Sequence, residues 1–215
     1  MSQLKVNTIQ GNSSSTVFIN PPSTLYMPGS VVQVRYKMSM DRVQFRVQNL
    51  DRRPGPENTI IRPTQTQATL LEPLEIVIQP RSINSWFYIE YNIFCEASWD
   101  NTMGVARNNN VISGGQALQQ VPEAGNYDTW LAANGVAVIH YDNNNDSTPV
   151  NTVFGWWDRP QTLDPVTYVP WVKNSNNRDD YFVLNATAAN YQNGADSYEQ
   201  GVSFGIVEEW AYPQA

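Results

Sequence analysis

Trp86-Phe87-Tyr88-Ile89-Glu90-Tyr91-Asn92-Ile93-Phe94-Cys95-Glu96-Ala97 is the most continuous of a series of aromatic and β-branched runs in the chain. Such side chains pack well on a pleated, half-buried surface and are enriched in strands. Similar runs bounded by Pro, Gly, Asn and Asp predict strands over residues 4–9, 16–20, 30–38, 43–47, 59–62, 74–79 and 103–107. Further strands are expected over 136–141, 152–157, 166–172, 181–185 and 202–210. The 14 prolines fall mostly between these runs, as expected of a residue that cannot donate to a ladder. Helical periodicity is nearly absent, and the best helical windows, 115–123 and 181–191, are short or rich in Asn and Thr. The pattern is that of an all-β, antiparallel β-sandwich.

The length of 215 residues and mass of 24.3 kDa suit one domain, or one domain with an arm. Hydrophobic residues make up 41%, enough for a core, but charged residues only 15%, so Asn, Gln, Ser and Thr must supply most of the polar surface. A net charge of −7 argues against nucleic-acid binding, which needs a basic face. No apolar run approaches the roughly 18 residues of a membrane span. The opening Met1-Ser2-Gln3-Leu4-Lys5 lacks a charged-then-apolar signal pattern, so a soluble product made in the cytoplasm is expected. Residues 1–28 combine two short strand-like pieces with Gly11-Asn12-Ser13-Ser14-Ser15 and Asn20-Pro21-Pro22-Ser23, too little apolar material for a core. They are expected to be an arm that packs on another chain, with the main domain spanning 29–215.

The chemistry available is narrow. One cysteine, Cys95, excludes an internal disulfide framework, and one histidine, His140, removes most zinc sites and catalytic dyads. Cys95 sits in an apolar strand with no nearby cation to stabilise a thiolate, so it reads as a buried inert thiol. His140 reads as a strand-end residue. Asp142-Asn143-Asn144-Asn145-Asp146 begins like a calcium loop, but Ser147 stands where the turn glycine belongs and Val153 where the bidentate glutamate belongs. It is expected to be a solvated hairpin loop, and no metal is expected. The adjacent pairs Asp179-Asp180 and Glu208-Glu209 would point to opposite faces of a strand, so neither is a natural catalytic couple, and surface acids are the expectation. Asp51-Arg52-Arg53-Pro54-Gly55-Pro56-Glu57 reads as a rigid, charged surface turn. No cofactor motif occurs, and none is expected.

Aromatic clusters are the better functional lead. Trp156-Trp157-Asp158-Arg159 precedes Pro160, and Tyr127-Asp128-Thr129-Trp130 forms a second group. Rings beside Asp, Asn or Arg suit sugar binding, in which the apolar ring face stacks and polar edges bond hydroxyls. Trp156, Trp157, Asp158, Arg159, Tyr127 and Trp130 are therefore the candidate ligand-binding residues, against the plainer reading that such rings fill a core or subunit contact. Strand alternation predicts one of Trp156 and Trp157 facing inward and the other outward.

Three segments together resemble fibre-like virion structural proteins of tailed phages, of the kind infecting marine cyanobacteria. The first is Ser2-Gln3-Leu4-Lys5-Val6-Asn7-Thr8-Ile9-Gln10, and the second Pro28-Gly29-Ser30-Val31-Val32-Gln33. The third is Trp86-Phe87-Tyr88-Ile89-Glu90-Tyr91, followed by Ala106-Arg107-Asn108-Asn109-Asn110-Val111-Ile112, similar to a strand and then an Arg-Asn hairpin turn. Asp164-Pro165-Val166-Thr167-Tyr168 and the final strand over 202–210 agree in order. The stretch 141–152 and the ending Glu208-Glu209-Trp210 depart from the family pattern. The resemblance implies a homotrimeric β-sandwich, of jelly-roll type, on a virus surface. On that basis the chain is expected to be a non-enzymatic virion protein, attached to other virion proteins through residues 1–28. Its expected role is a fibre or receptor-binding knob contacting host-surface glycan. The alternatives are a capsid or tail decoration protein with a purely structural role and, more weakly, a tailspike-like polysaccharide-degrading enzyme.

Overall fold

The computed structural model of the chain describes residues 29–47, 68–97, 101–112, 137–139, 148–174, 180–188 and 199–211. Strand β5 (Trp86–Ala97) organises the first of two antiparallel sheets. Its odd-numbered residues Phe87, Ile89, Tyr91, Ile93 and Cys95 are fully buried, while the even-numbered ones from Trp86 to Phe94 are half-exposed. One edge of β5 pairs with β12 (Ser203–Trp210) and the other with β9 (Val150–Asp158). Near residues 95–97, β11 (Asp180–Leu184) joins β5 where the β12 ladder has ended. β1 (Val31–Ser39) lies beyond β12, and β2 (Val43–Val47) beyond β11.

In the second sheet, β10 (Val166–Asn174) pairs with β6 (Asn101–Arg107) along one edge. Along its other edge it pairs with β3 (Thr69–Leu70) and β4 (Ile76–Ile78). β7 (Asn110–Val111) and β8 (Ala137–Ile139) add to β6. The inner faces meet in one core, in which Phe87, Ile89, Tyr91 and Ile93 pack with Ile76, Ile78, Met103, Val105, Tyr168 and Val172. The Phe87 and Tyr168 rings touch across it with centroids 6.0 Å apart. Each such side chain contributes about 1.5–3 kcal/mol through removal from water, which is why the alternation fixes the register. Gly205 lies opposite Tyr91 in the ladder, and a Cβ there would overlap the Tyr91 ring. The bulk of that tyrosine is thus accommodated by a missing side chain on the next strand.

Three asparagines do local work that the backbone requires. Asn108 and Asn109 have φ of 50° and 63° and form the two-residue turn between β6 and β7, in the mirror-image geometry that matches strand twist. The Asn108 side chain accepts from the Thr167 N–H at 2.9 Å while its own N–H donates to the Thr167 carbonyl at 2.8 Å, so the turn remains tied to β10. Asn185 (φ 61°) donates through Nδ2 to the carbonyls of Ser39 and Asp41, both at 3.0 Å, and accepts from Ser203 Oγ at 2.6 Å. Its N–H donates to the Phe94 carbonyl at 2.9 Å. One buried residue thereby joins the ends of β1, β5 and β12.

The all-β, antiparallel architecture expected from the sequence is present, and β2 and β5 occupy the predicted spans. The segment over 74–79 differs. It opens with a 3-10 turn, Glu72–Leu74, because Pro73 in its first turn cannot donate, and only Ile76–Ile78 is strand. The expected arm, residues 1–28, lies outside the described residues.

Burial pushes the ionisation of three inner groups upward: Cys95, Tyr91 and Tyr168, the last also through the neighbouring Asp158 carboxylate. Each is neutral in the folded chain at pH values where it would ionise when unfolded. Their contribution to stability is therefore complete below the ordinary thiol value of 9.0 and declines as pH rises past it and past the phenol value of 10.0. The thermal midpoint is expected to fall steadily above about pH 9. Cys95 should remain unreactive toward a thiol reagent until the protein melts. A flat midpoint up to pH 11 together with rapid labelling of native protein would contradict the burial of this face.

Candidate ligand platform on the outer sheet face

The register of the first sheet places its outward side chains in rows across four strands. One row runs Val34, Glu208, Tyr88, Trp157 from β1 to β9; the next runs Tyr36, Ile206, Glu90, Gly155; a third runs Met38, Phe204, Asn92, Val153. Residues opposite one another on antiparallel strands have Cβ atoms about 4.5–5.5 Å apart, so each row is a contact series. The face is unusually apolar for one that meets water. Tyr36, Met38 and Trp157 are exposed by 79%, 58% and 49%.

At the β9 end of the rows, three rings from three strands gather. Trp157 lies 5.1 Å from Tyr88, centroid to centroid, and 5.9 Å from Trp210, which meets it edge-on. Gly155 makes this possible, because a Cβ there would lie 2.5 Å from the Tyr88 hydroxyl. Lacking one, β9 lets the Tyr88 ring lie across it. The Tyr88 hydroxyl donates to Glu90 Oε2 at 2.9 Å, and Trp210 Nε1 donates to Glu208 Oε2 at 3.0 Å. The hydrogen bond to Glu90, then burial, then the charges of Glu90 and Glu208, hold the Tyr88 phenol above its ordinary ionisation range. The result is a partly exposed cluster of mutually tilted rings carrying two carboxylates.

The candidate residues separate along the strand as alternation demands. Trp157 faces outward in this cluster, whereas Trp156 pairs with Ile89 and packs against the core. Asp158 turns inward as well and links the two sheets. Arg107 Nη1 donates to its Oδ1 and Oδ2 at 2.9 and 2.7 Å, and the Tyr168 hydroxyl donates to Oδ2 at 2.7 Å. Arg159 Nη2 donates to Asn84 Oδ1 at 3.0 Å, fixing the loop before β5. The run 156–159 is thus divided between a core ring, an outward-facing ring, an inter-sheet clamp and a loop tie. Tyr127, Trp130, His140, Asp142 to Asp146 and Asp51 to Glu57 lie outside the described residues.

Linear spacing does not join Tyr88, Trp210, Glu90 and Glu208 into one cluster, since they come from β5 and β12. Period-2 spacing within Tyr88-Ile89-Glu90 and Glu208-Glu209-Trp210 places each pair on one face, but the neighbouring strand order is needed to join them. The expectation of surface acids also needs correction at Glu209, which is fully buried. Its Oε1 accepts the Arg81 and Ser82 N–H groups at 2.7 and 3.3 Å, and its Oε2 accepts Gln33 Nε2 at 2.5 Å. The carboxyl group is accommodated there because these donors replace its water. Glu96 is buried for the same reason, accepting the Thr148 N–H at 3.2 Å and the Ala188 N–H at 2.5 Å. Among the described residues, no three His, Cys, Asp or Glu side chains gather so as to hold a metal ion.

No protein-family model matches the chain, and no curated protein matches it.

Truncation of the clamp tests the assigned division. Asp158→Ala strips the ion-pair partner from Arg107 and the acceptor from Tyr168. It is expected to cost about 2–3 kcal/mol in denaturant unfolding, below the range for fully buried pairs because Arg107 keeps some solvent contact. Tyr168→Phe should cost less, about 1 kcal/mol, since the ion pair survives it. Equal and negligible losses in both variants would show that the clamp does not hold the sheets.

Proposed function

We propose that the chain is a non-enzymatic virion surface module, a fibre or receptor-binding knob that contacts host glycan through the Tyr88–Trp157–Trp210 platform. The observation that carries the reading is the exposure of Trp157 within a three-strand cluster of rings bordered by carboxylates. A sugar ring offers an apolar face of C–H groups and a rim of hydroxyls. Exposed aromatics meet the first, and carboxylate oxygens accept from the second.

The strand order supports a jelly-roll assignment. β1, β12, β5 and β9 neighbour one another in one sheet, and β4, β10, β6 and β8 in the other, the interleaving that two nested Greek keys generate. That architecture is used by viral capsid and lectin domains, a likeness at the level of fold alone. The resemblance in residues 2–10 and 28–33 to phage fibre-like proteins supports the virion setting. Homotrimeric assembly and attachment through residues 1–28 belong to the same proposal.

A second reading, a decoration protein whose surfaces serve assembly, is favoured by the other end of the same rows. Tyr36 and Met38 on β1 are more exposed than Trp157 and lie in an apolar strip with Phe204 and Ile206. Patches of this kind mark protein contacts.

The two readings part on Trp157. Trp157→Ala is expected to leave the thermal midpoint within a few degrees, because the ring is half in solvent, and to reduce adsorption of reconstituted particles to host cells roughly tenfold or more. Trp156→Ala should instead cost about 3 kcal/mol or more of stability. Normal adsorption by Trp157→Ala particles, with particle assembly lost in Tyr36→Ser, would transfer the function to the assembly reading.

A further inference from the structure

Charge distribution on the platform narrows what it can hold. The outward positions of β1, β5, β9 and β12 contain Glu90 and Glu208 beside the rings and no Lys, Arg or His. The cations of β1 do not reach this face. Arg35 and Lys37 pair with Val207 and Gly205, so they belong to the opposite side of the sheet. The faces of Trp and Tyr rings also carry negative electrostatic potential, which attracts an ammonium group within about 6 Å of the ring centre. Two carboxylates and three π-faces therefore point the same way. Each carboxylate engages a ring donor through one oxygen, Glu90 from Tyr88 and Glu208 from Trp210, which fixes the negative charge at the edge of the aromatic surface.

We infer that the platform is selective for a saccharide bearing a protonated amine, a glucosamine-type unit, over its N-acetylated or carboxylated counterparts. The inference rests on the glycan reading above and adds the charge of the ligand to it. An ammonium group on the sugar rim would sit between Glu90 and Glu208 while the ring's C–H face lies on Trp157. An acetylated amine loses the charge. A uronic acid in the same position would bring like charge against two carboxylates, and the nearest cation along β9, Arg159, donates to Asn84 in the loop before β5.

The test is titration of the full-length protein with three tetrasaccharides: β-1,4-linked glucosamine, its N-acetylated form, and a galacturonate oligomer. Calorimetry and tryptophan emission would be read together, because Trp157 and Trp210 lie in the site. The glucosamine oligomer is expected to bind at least tenfold more tightly than the other two, with affinity falling as salt rises. Glu208→Gln and Glu90→Gln keep an acceptor for Trp210 and Tyr88 but remove the charge. Each should lower affinity for the glucosamine oligomer several-fold with an unchanged thermal midpoint, and Trp157→Ala should abolish the emission change. Equal or tighter binding of the acetylated or acidic oligomer would overturn the inference and leave the glycan reading in place. Unaltered affinity in both Gln variants would overturn it as well. Failure of all three sugars to bind also overturns it, and the adsorption experiment on Trp157→Ala then judges the glycan reading separately.

Discussion

The pairing of β5 with strands on both edges is the constraint on which the remaining structure depends. Twelve residues long, it gives one face to the core and the other to solvent. Because side chains alternate, a one-residue slip of β12 would turn Val207 outward and Glu208 inward, and one of β9 would turn Phe154 outward and Gly155 inward. The core therefore selects the register, and the register in turn sets which residues meet on the outside. Tyr88, Trp157 and Glu208 are neighbours because Phe87, Ile89 and Val207 are buried. The outer site is a by-product of packing that the sequence has filled with particular side chains.

Polar groups at the margins of the core are treated consistently. Asp158, Glu96, Glu209 and Asn185 each receive donors from segments distant in the chain, and each closes a seam between elements. A buried carboxylate without such donors would cost several kcal/mol, so these positions tolerate little change. This explains how a chain with few charged residues can place some of them inside. The charges that are buried hold seams, and the two on the outer face are left to define a surface.

Strands were legible in the sequence where a run was long enough to display its period. Trp86–Ala97 and Val43–Val47 are bounded by turn residues and emerge with the expected limits. β3 and β7, at two residues each, carry no period to read, and Pro73 concealed a turn inside an apolar stretch. Of the candidate site, the opposed orientations of Trp156 and Trp157 followed from alternation alone. The partners of Trp157 did not, since Tyr88 and Trp210 are brought beside it by strand order, which local patterning does not encode. For the same reason Asp158 reads in the sequence as a companion of the outward tryptophan, although its carboxylate serves Arg107 and Tyr168 on the other side of the strand.

The ring cluster on the outer face is braced within the folded chain itself. Trp157 is braced by the rings of Tyr88 and Trp210, and the two carboxylates are anchored by hydrogen bonds from those same neighbours. Ordering a free, rotamer-rich side chain on binding costs about 0.5–1.5 kcal/mol, a cost already met here in folding. Gly155 is central to that arrangement, because a side chain at this position would lift the Tyr88 ring and release both the brace and the Glu90 contact. In the proposed glycan contact, one sugar ring on one indole would gain from preorganisation of this kind. The residue that contributes no side chain to the platform is thus among those that determine its shape.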